Sequence, residues 1–182
     1  KLEEKWGPVY FYPLPYADPA VVRDGMGDEN IHTHDDSMST VIKAIKENMD
    51  MGVRNVLVAH TFAAGCEPSE SERPLSIGGT DVVDSAHFQG FNYVALGHLH
   101  RPQKVSSDNI RYSGSLMKYS FSEAAQKKYI PIIDMDEKGE VHIEKVELTP
   151  KRDLRCIEGY LDDILKGPKD GENRDDYIMV RL

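Results

Sequence analysis

Apolar and polar positions along the chain switch between a period of two and a helical period, and the switches divide it into elements. Residues 9–16, VYFYPLPY, are aromatic and β-branched with prolines at 13 and 15, which predicts a strand leaving into an extended loop. The span 17–30 is rich in Gly, Asp and Pro and reads as a connection. From Ser37 to Met51 the period becomes helical: Met38, Val41, Ile42, Ile45 and Met49 share one face, Asp35 and Asp36 sit at the positive end, and Gly52 suits the far end. NVLVAH, residues 55–60, is a short apolar run of the kind buried on both faces of a sheet, and it ends in His60. A long polar loop follows, AAGCEPSESERPLSIGGT, residues 63–80, of a length often found to carry function. Residues 82–90 predict a short helix closed by Gly90. FNYVALG then gives a second buried strand, which runs into His98. After IRYSGS (110–115), the segments KYIPIIDMD and EVHIEKVEL flank Glu137-Lys138-Gly139 and predict an antiparallel hairpin. From Pro150 the pattern changes to strand, helix, strand over DLRCIEGYLDDILKG and DDYIMVRL, so a boundary is placed near 150, dividing 1–150 from 151–182.

Composition narrows the classes. A chain of 182 residues suits one domain, or one domain with the start of another, and 40% hydrophobic with 29% charged residues is ordinary globular usage. No apolar run is long enough to cross a bilayer, and KLEEKWGPVYFY does not read as a secretory signal but as a chain entered midway. Cys66 and Cys156 stand in unrelated contexts, which favours a reducing, cytoplasmic setting over a disulfide framework. The net charge of −9 argues against a generic polyanion binder. A nucleic-acid role would need local charge, from metal ions or a few arginines.

The candidate chemistry lies where the buried strands end. In open α/β sheets ligands bind outside the carboxyl ends of the strands, so His60 and the pair His98 and His100 are expected on one edge. In extended chain, residues i and i+2 project to one side about 6.6 Å apart, twice the rise of roughly 3.3 Å. Metal–imidazole bonds are about 2.0–2.1 Å and paired catalytic metals lie roughly 3.5–4 Å apart, so each histidine can reach one member of a pair. A backbone turn at Leu99 would instead bring both onto one metal. Gly97 suits either case, since a side chain there would crowd the site. The plainer alternative is that these are hydrogen-bonded loop histidines. His32 and His34 are read as a solvated segment capping the helix, and His87 and His142 as surface residues.

VLVAH, SERPLSIGG, FNYVALGHLHRPQ and YSGSLMKYSFSE followed by two lysines together resemble the bacterial SbcD exonuclease subunits of the calcineurin-like metallophosphoesterase superfamily. The likeness spans most of residues 8–150, and the segment from 151 resembles the start of that family's cap. It implies part of a four-layered α/β/β/α sandwich followed by a partial α+β capping domain. It also implies a two-ion Mn²⁺ site (or Mg²⁺), processing of double-stranded DNA ends in repair and recombination, an SbcC-like coiled-coil ABC ATPase as partner, and a homodimer of the intact protein. By the same likeness His60 and His98 would bind one metal and His100 the other. Arg101 would meet a phosphate or pair with a local carboxylate, and Gly78 and Gly79 would admit backbone to the substrate or simply form a turn.

The superfamily's first-half motifs, D-x-H, a bridging G-D and G-N-H-[DE] with its catalytic histidine, have no counterpart here; Gly27-Asp28 lies in a loop before the His60 strand. The expectation is therefore the second half of a phosphoesterase domain with no catalytic residue of its own. The carboxylates and catalytic histidine would lie upstream of Lys1, and the fragment would be inactive alone. The alternatives are a broader metallophosphoesterase acting on nucleotides or phosphoproteins, and a non-catalytic module for docking DNA or a partner.

Overall fold

The computed structural model describes residues 1–16, 18–72 and 81–182. In chain order the elements are β1 (Leu2–Glu4), β2 (Gly7–Leu14), α1 (Pro19–Met26), α2 (His34–Asn48), β3 (Arg54–His60), β4 (Phe62–Ala63), β5 (Val82–Val83), β6 (Tyr93–Gly97), β7 (Gln103–Lys104), β8 (Ile110–Tyr112), β9 (Tyr129–Met135), β10 (Val141–Glu147), β11 (Leu154–Glu158), α3 (Leu161–Ile164) and β12 (Tyr177–Arg181). Single 3₁₀ turns occur at Ser85–Phe88 and Phe121–Glu123.

The main sheet has the order β1-β2-β3-β6-β8-β7. Its four inner strands are parallel and each edge carries one antiparallel strand. Alternation along the strands sorts the side chains into two layers. Leu57, Ala59, Val94, Leu96, Ile110 and Tyr112 meet Ile42 of α2 and Met49 at its C-terminal end. On the opposite face Val9, Val56 and Tyr93 meet Ile133, Met135, Val141 and Ile143 of the β9–β10 hairpin. Helix, sheet and hairpin thus stack as three layers. This is the mixed α/β class expected from the sequence, and it is consistent with part of a metallophosphoesterase sandwich.

The hairpin covers only the first part of that second face. Further along the strands Phe11 remains 41% exposed and Val58 40%, on the same face as His60. Beyond Pro150, β11 and β12 pair in parallel with each other, and Lys118 Nζ ties their start to the body through the Asp153 carboxylate at 2.9 Å.

Two helix expectations change. The span read as a connection contains α1, whose first residue is Pro19, capped by Asp18 accepting from the Ala20 N–H and closed by Gly27 at φ 65°. Proline opening a helix and glycine closing it is a helix signature, here mistaken for loop composition. The second helix starts at His34 rather than Ser37, because Thr33 caps it and Asp36 returns a bond to the cap backbone.

Candidate metal centre

β3 and β6 lie side by side with His60 opposite Gly97, so the two strands end at the same level of the sheet. The backbone just after His60 is held by Tyr112, which is fully buried: its hydroxyl donates to the Thr61 carbonyl at 2.8 Å and accepts from the Ala63 N–H at 2.8 Å. Burial pushes the Tyr112 phenol well above its ordinary pKa, so it stays protonated as that donor. A methyl group on Gly97 would stand 3.1 Å from His60 Nδ1. The glycine therefore leaves room for the imidazole itself.

Extended geometry ends at His98, not at Leu99. His98 has φ 109°, a region that L residues rarely adopt and that costs on the order of 1–3 kcal/mol. The surroundings enforce it. Leu99 is only 2% exposed and anchors in the core, while the backbone of His100 is tied on both sides. Its N–H donates to Glu72 Oε1 at 2.5 Å, and its carbonyl accepts from the Ser115 N–H at 3.0 Å and from Lys128 Nζ at 2.8 Å. The turn sends His98 towards His60 and His100 towards a different set of neighbours.

The rings of His60 and His98 have centroids 5.3 Å apart and planes inclined by 69°. Among the described residues neither ring makes a hydrogen bond. An ion bound by one nitrogen of each ring at about 2.0–2.1 Å, with a tetrahedral angle between the bonds, would set the centroids about 5 Å apart. The centroid separation of the pair is close to that value. Burial lowers the His98 pKa, and the neighbouring His60 lowers it further against the opposing pull of Glu72 and Asp81. A neutral imidazole, the form that binds metal, is thereby favoured.

His100 is built differently. Its Nδ1 lies 2.8 Å from Ser71 Oγ and 3.2 Å from Glu123 Oε1, and Tyr119 packs on its ring with centroids 5.2 Å apart. Ser71 Oγ also donates a short hydrogen bond to Glu123 Oε1. The Glu123 carboxylate is completely buried, and its other oxygen accepts from Lys128 Nζ at 2.7 Å. Burial alone would raise the Glu123 pKa, but hydrogen bonds from Lys128, Ser71 and His100 outweigh it and hold the carboxyl below its ordinary value. Ser71, Glu72, Glu123 and Lys128 have no role legible in sequence, although they lie in the SERPLSIGG and SFSE…KK stretches; only the fold reveals what they touch.

Arg101 is exposed and pairs with Glu67, the local carboxylate alternative. Gly78 and Gly79 lie outside the described residues. His34 is buried rather than solvated, with Nε2 3.1 Å from the Tyr16 hydroxyl, and His87 Nε2 pairs with Asp35 at 2.9 Å. Among the described residues no three His, Cys, Asp or Glu side chains converge closely enough to enclose an ion by themselves. The centre is thus a partial one: a histidine pair, and a separately oriented third histidine.

No family model matches the chain. It is similar to the SbcD component of the SbcCD nuclease of Staphylococcus epidermidis, with 34% identity over 174 residues. The match takes in 96% of the chain but 46% of that protein, so the chain spans about half the length of the curated relative.

Proposed function

We propose that this chain supplies the second half of the nuclease domain of an SbcD-type protein, together with the beginning of its cap. It would act in the cytoplasm with an SbcC-like ATPase on the ends of double-stranded DNA. The observation that carries the reading is the shared strand-end edge, where the rings of His60 and His98 face each other with centroids 5.3 Å apart while His100 is oriented separately. The relative's name, that of a nuclease component, agrees with it, and so does the half-length match. The apolar face left open around Phe11 and Val58 supports further sandwich strands packing there, which would bring carboxylate ligands beside His60.

In this reading His60 and His98 hold one metal and His100 the other, with Mn²⁺ as the expected ion and Mg²⁺ as the alternative. When bound at these histidines, divalent ions would supply Lewis acidity for the hydrolysis of a phosphodiester by water. The chain's own contribution is to present neutral imidazoles on a fixed rim. Gly97 leaves space for one ring, the turn at His98 separates the two directions, and the Tyr112 clamp keeps β3 from fraying. Two divalent ions would also bring about four positive charges to an acidic protein where phosphate must approach.

The test uses linear duplex DNA and small phosphoesters with Mn²⁺. The full-length protein should cut the duplex, and His98→Gln and His100→Gln should abolish cutting while DNA binding persists. The 182-residue chain alone should not cut. Robust cleavage by the chain alone, or full activity of both variants, would refute the proposal.

A further inference from the structure

His100 makes two contacts through Nδ1, and together they decide which ring nitrogen carries the proton. The Glu123 carboxylate can only accept, and Ser71 has a single hydroxyl proton. That proton is committed to Glu123 Oε1, because a carboxylate oxygen facing the serine oxygen cannot supply a proton of its own. The Ser71 oxygen is then an acceptor towards His100, as is Glu123, so both neighbours of Nδ1 require a proton on it. The opposite assignment would set the Nδ1 lone pair against a buried carboxylate at 3.2 Å with no hydrogen between them. Lys128 fixes the carboxylate in turn: its ammonium donates to Glu123 Oε2 at 2.7 Å, Gln126 Oε1 at 2.8 Å and the His100 carbonyl at 2.8 Å. The same lysine therefore holds both the ring's partner and the ring's own backbone.

We propose that Glu123 is a positioning residue which, with Ser71 and under the grip of Lys128, locks His100 as the Nδ1–H tautomer and turns its Nε2 lone pair outward to bind metal. The inference rests on the reading of His100 as a metal ligand and adds how that ligand is prepared before any metal arrives. A histidine ligand whose other nitrogen donates to a carboxylate gains both basicity and a fixed ring orientation, and losing such a partner typically weakens metal binding about 10–100-fold. His60 and His98 have no such support among the described residues, so the His100 position is the preformed part of the centre.

The test begins with the metal-free full-length protein labelled with ¹⁵N in its histidine rings, the His100 signals being assigned by their loss in a His100→Gln variant. The expected spectrum has a pyrrole-like Nδ1 and a pyridine-like Nε2 for His100; a pyrrole-like Nε2 overturns the proposal. Mn²⁺ affinity measured by electron paramagnetic resonance gives the second arm. Glu123→Gln should weaken binding about 10–100-fold, whereas affinity within about twofold of wild type, even with lowered thermal stability, makes Glu123 merely structural and overturns the proposal. If that variant does not fold, Ser71→Ala, which keeps the Glu123–Lys128 pair, is read in its place: several-fold weaker Mn²⁺ binding supports the proposal, and unchanged affinity with an unchanged tautomer overturns it. A wild-type protein that takes up no divalent metal sinks the nuclease reading instead, and the tautomer in the metal-free spectrum separates that failure from this one.

Discussion

Lys128 has all three ammonium protons committed inside the protein, to Glu123, Gln126 and the His100 carbonyl, with its side chain only 4% exposed. Buried ion pairs of this kind add little net stability over a well-packed apolar pair, but removing one partner strands the other charge. Lys128→Met should therefore destabilise by roughly 3–5 kcal/mol in urea unfolding, by leaving the Glu123 carboxylate uncompensated. A loss under about 1 kcal/mol would mean that water reaches the carboxylate. At this scale the sequence disclosed the three imidazoles and hid their support. G-H-x-H after an apolar strand is visible in one dimension. The partners of His100 come from residues 71, 72, 123 and 128, brought together by a loop and a 3₁₀ turn that no periodicity marks. Gly97 was legible as a position requiring no side chain; that the crowded group is the His60 ring is a matter of strand register.

Elements that carry continuous or alternating apolar runs into the core were legible in sequence. β3, β6 and the β9–β10 hairpin match their predicted spans because buried strands leave runs of Val, Ile, Leu and Tyr that loops do not. Helix starts were less so, since caps are set by single polar side chains. Asp36 shows this: accepting backbone bonds from His32 and Thr33, and one from the Thr33 hydroxyl, holds its carboxyl below the ordinary value. With the folded pKa depressed, the stabilisation is fully present above the unfolded value, about 3.9, and is lost as pH falls through the lower folded value. Asp36→Ala should thus cost about 0.3–1.5 kcal/mol at neutral pH, and the gap to wild type should close towards the acid end of a denaturation series. A gap independent of pH would remove the charge from this account of α2.

For the molecule as a whole, the proposed action on DNA would require local positive charge on a chain whose net charge is −9. Arg101 is exposed and paired with Glu67, so in the proposed reading it would exchange a carboxylate for a phosphate on binding. Arg101→Glu in the full-length protein should reduce DNA affinity at low salt, with the deficit shrinking as salt rises, because backbone contacts act through counterion release. A deficit independent of salt would mean that the residue acts through local structure. The half-covered sheet face, open at Phe11 and Val58 beside His60, was not legible in sequence. A strand that lacks its cover has the same alternation as one that has it.

The central claim is that three imidazoles on one rim hold two ions, and anomalous scattering tests it most directly. Crystals of the full-length protein equilibrated with Mn²⁺ and measured at the manganese absorption edge should show two peaks, one between the rings of His60 and His98 and one against Nε2 of His100. Strong manganese peaks elsewhere with none at these rings, or a single peak bound by all three histidines, would contradict the account.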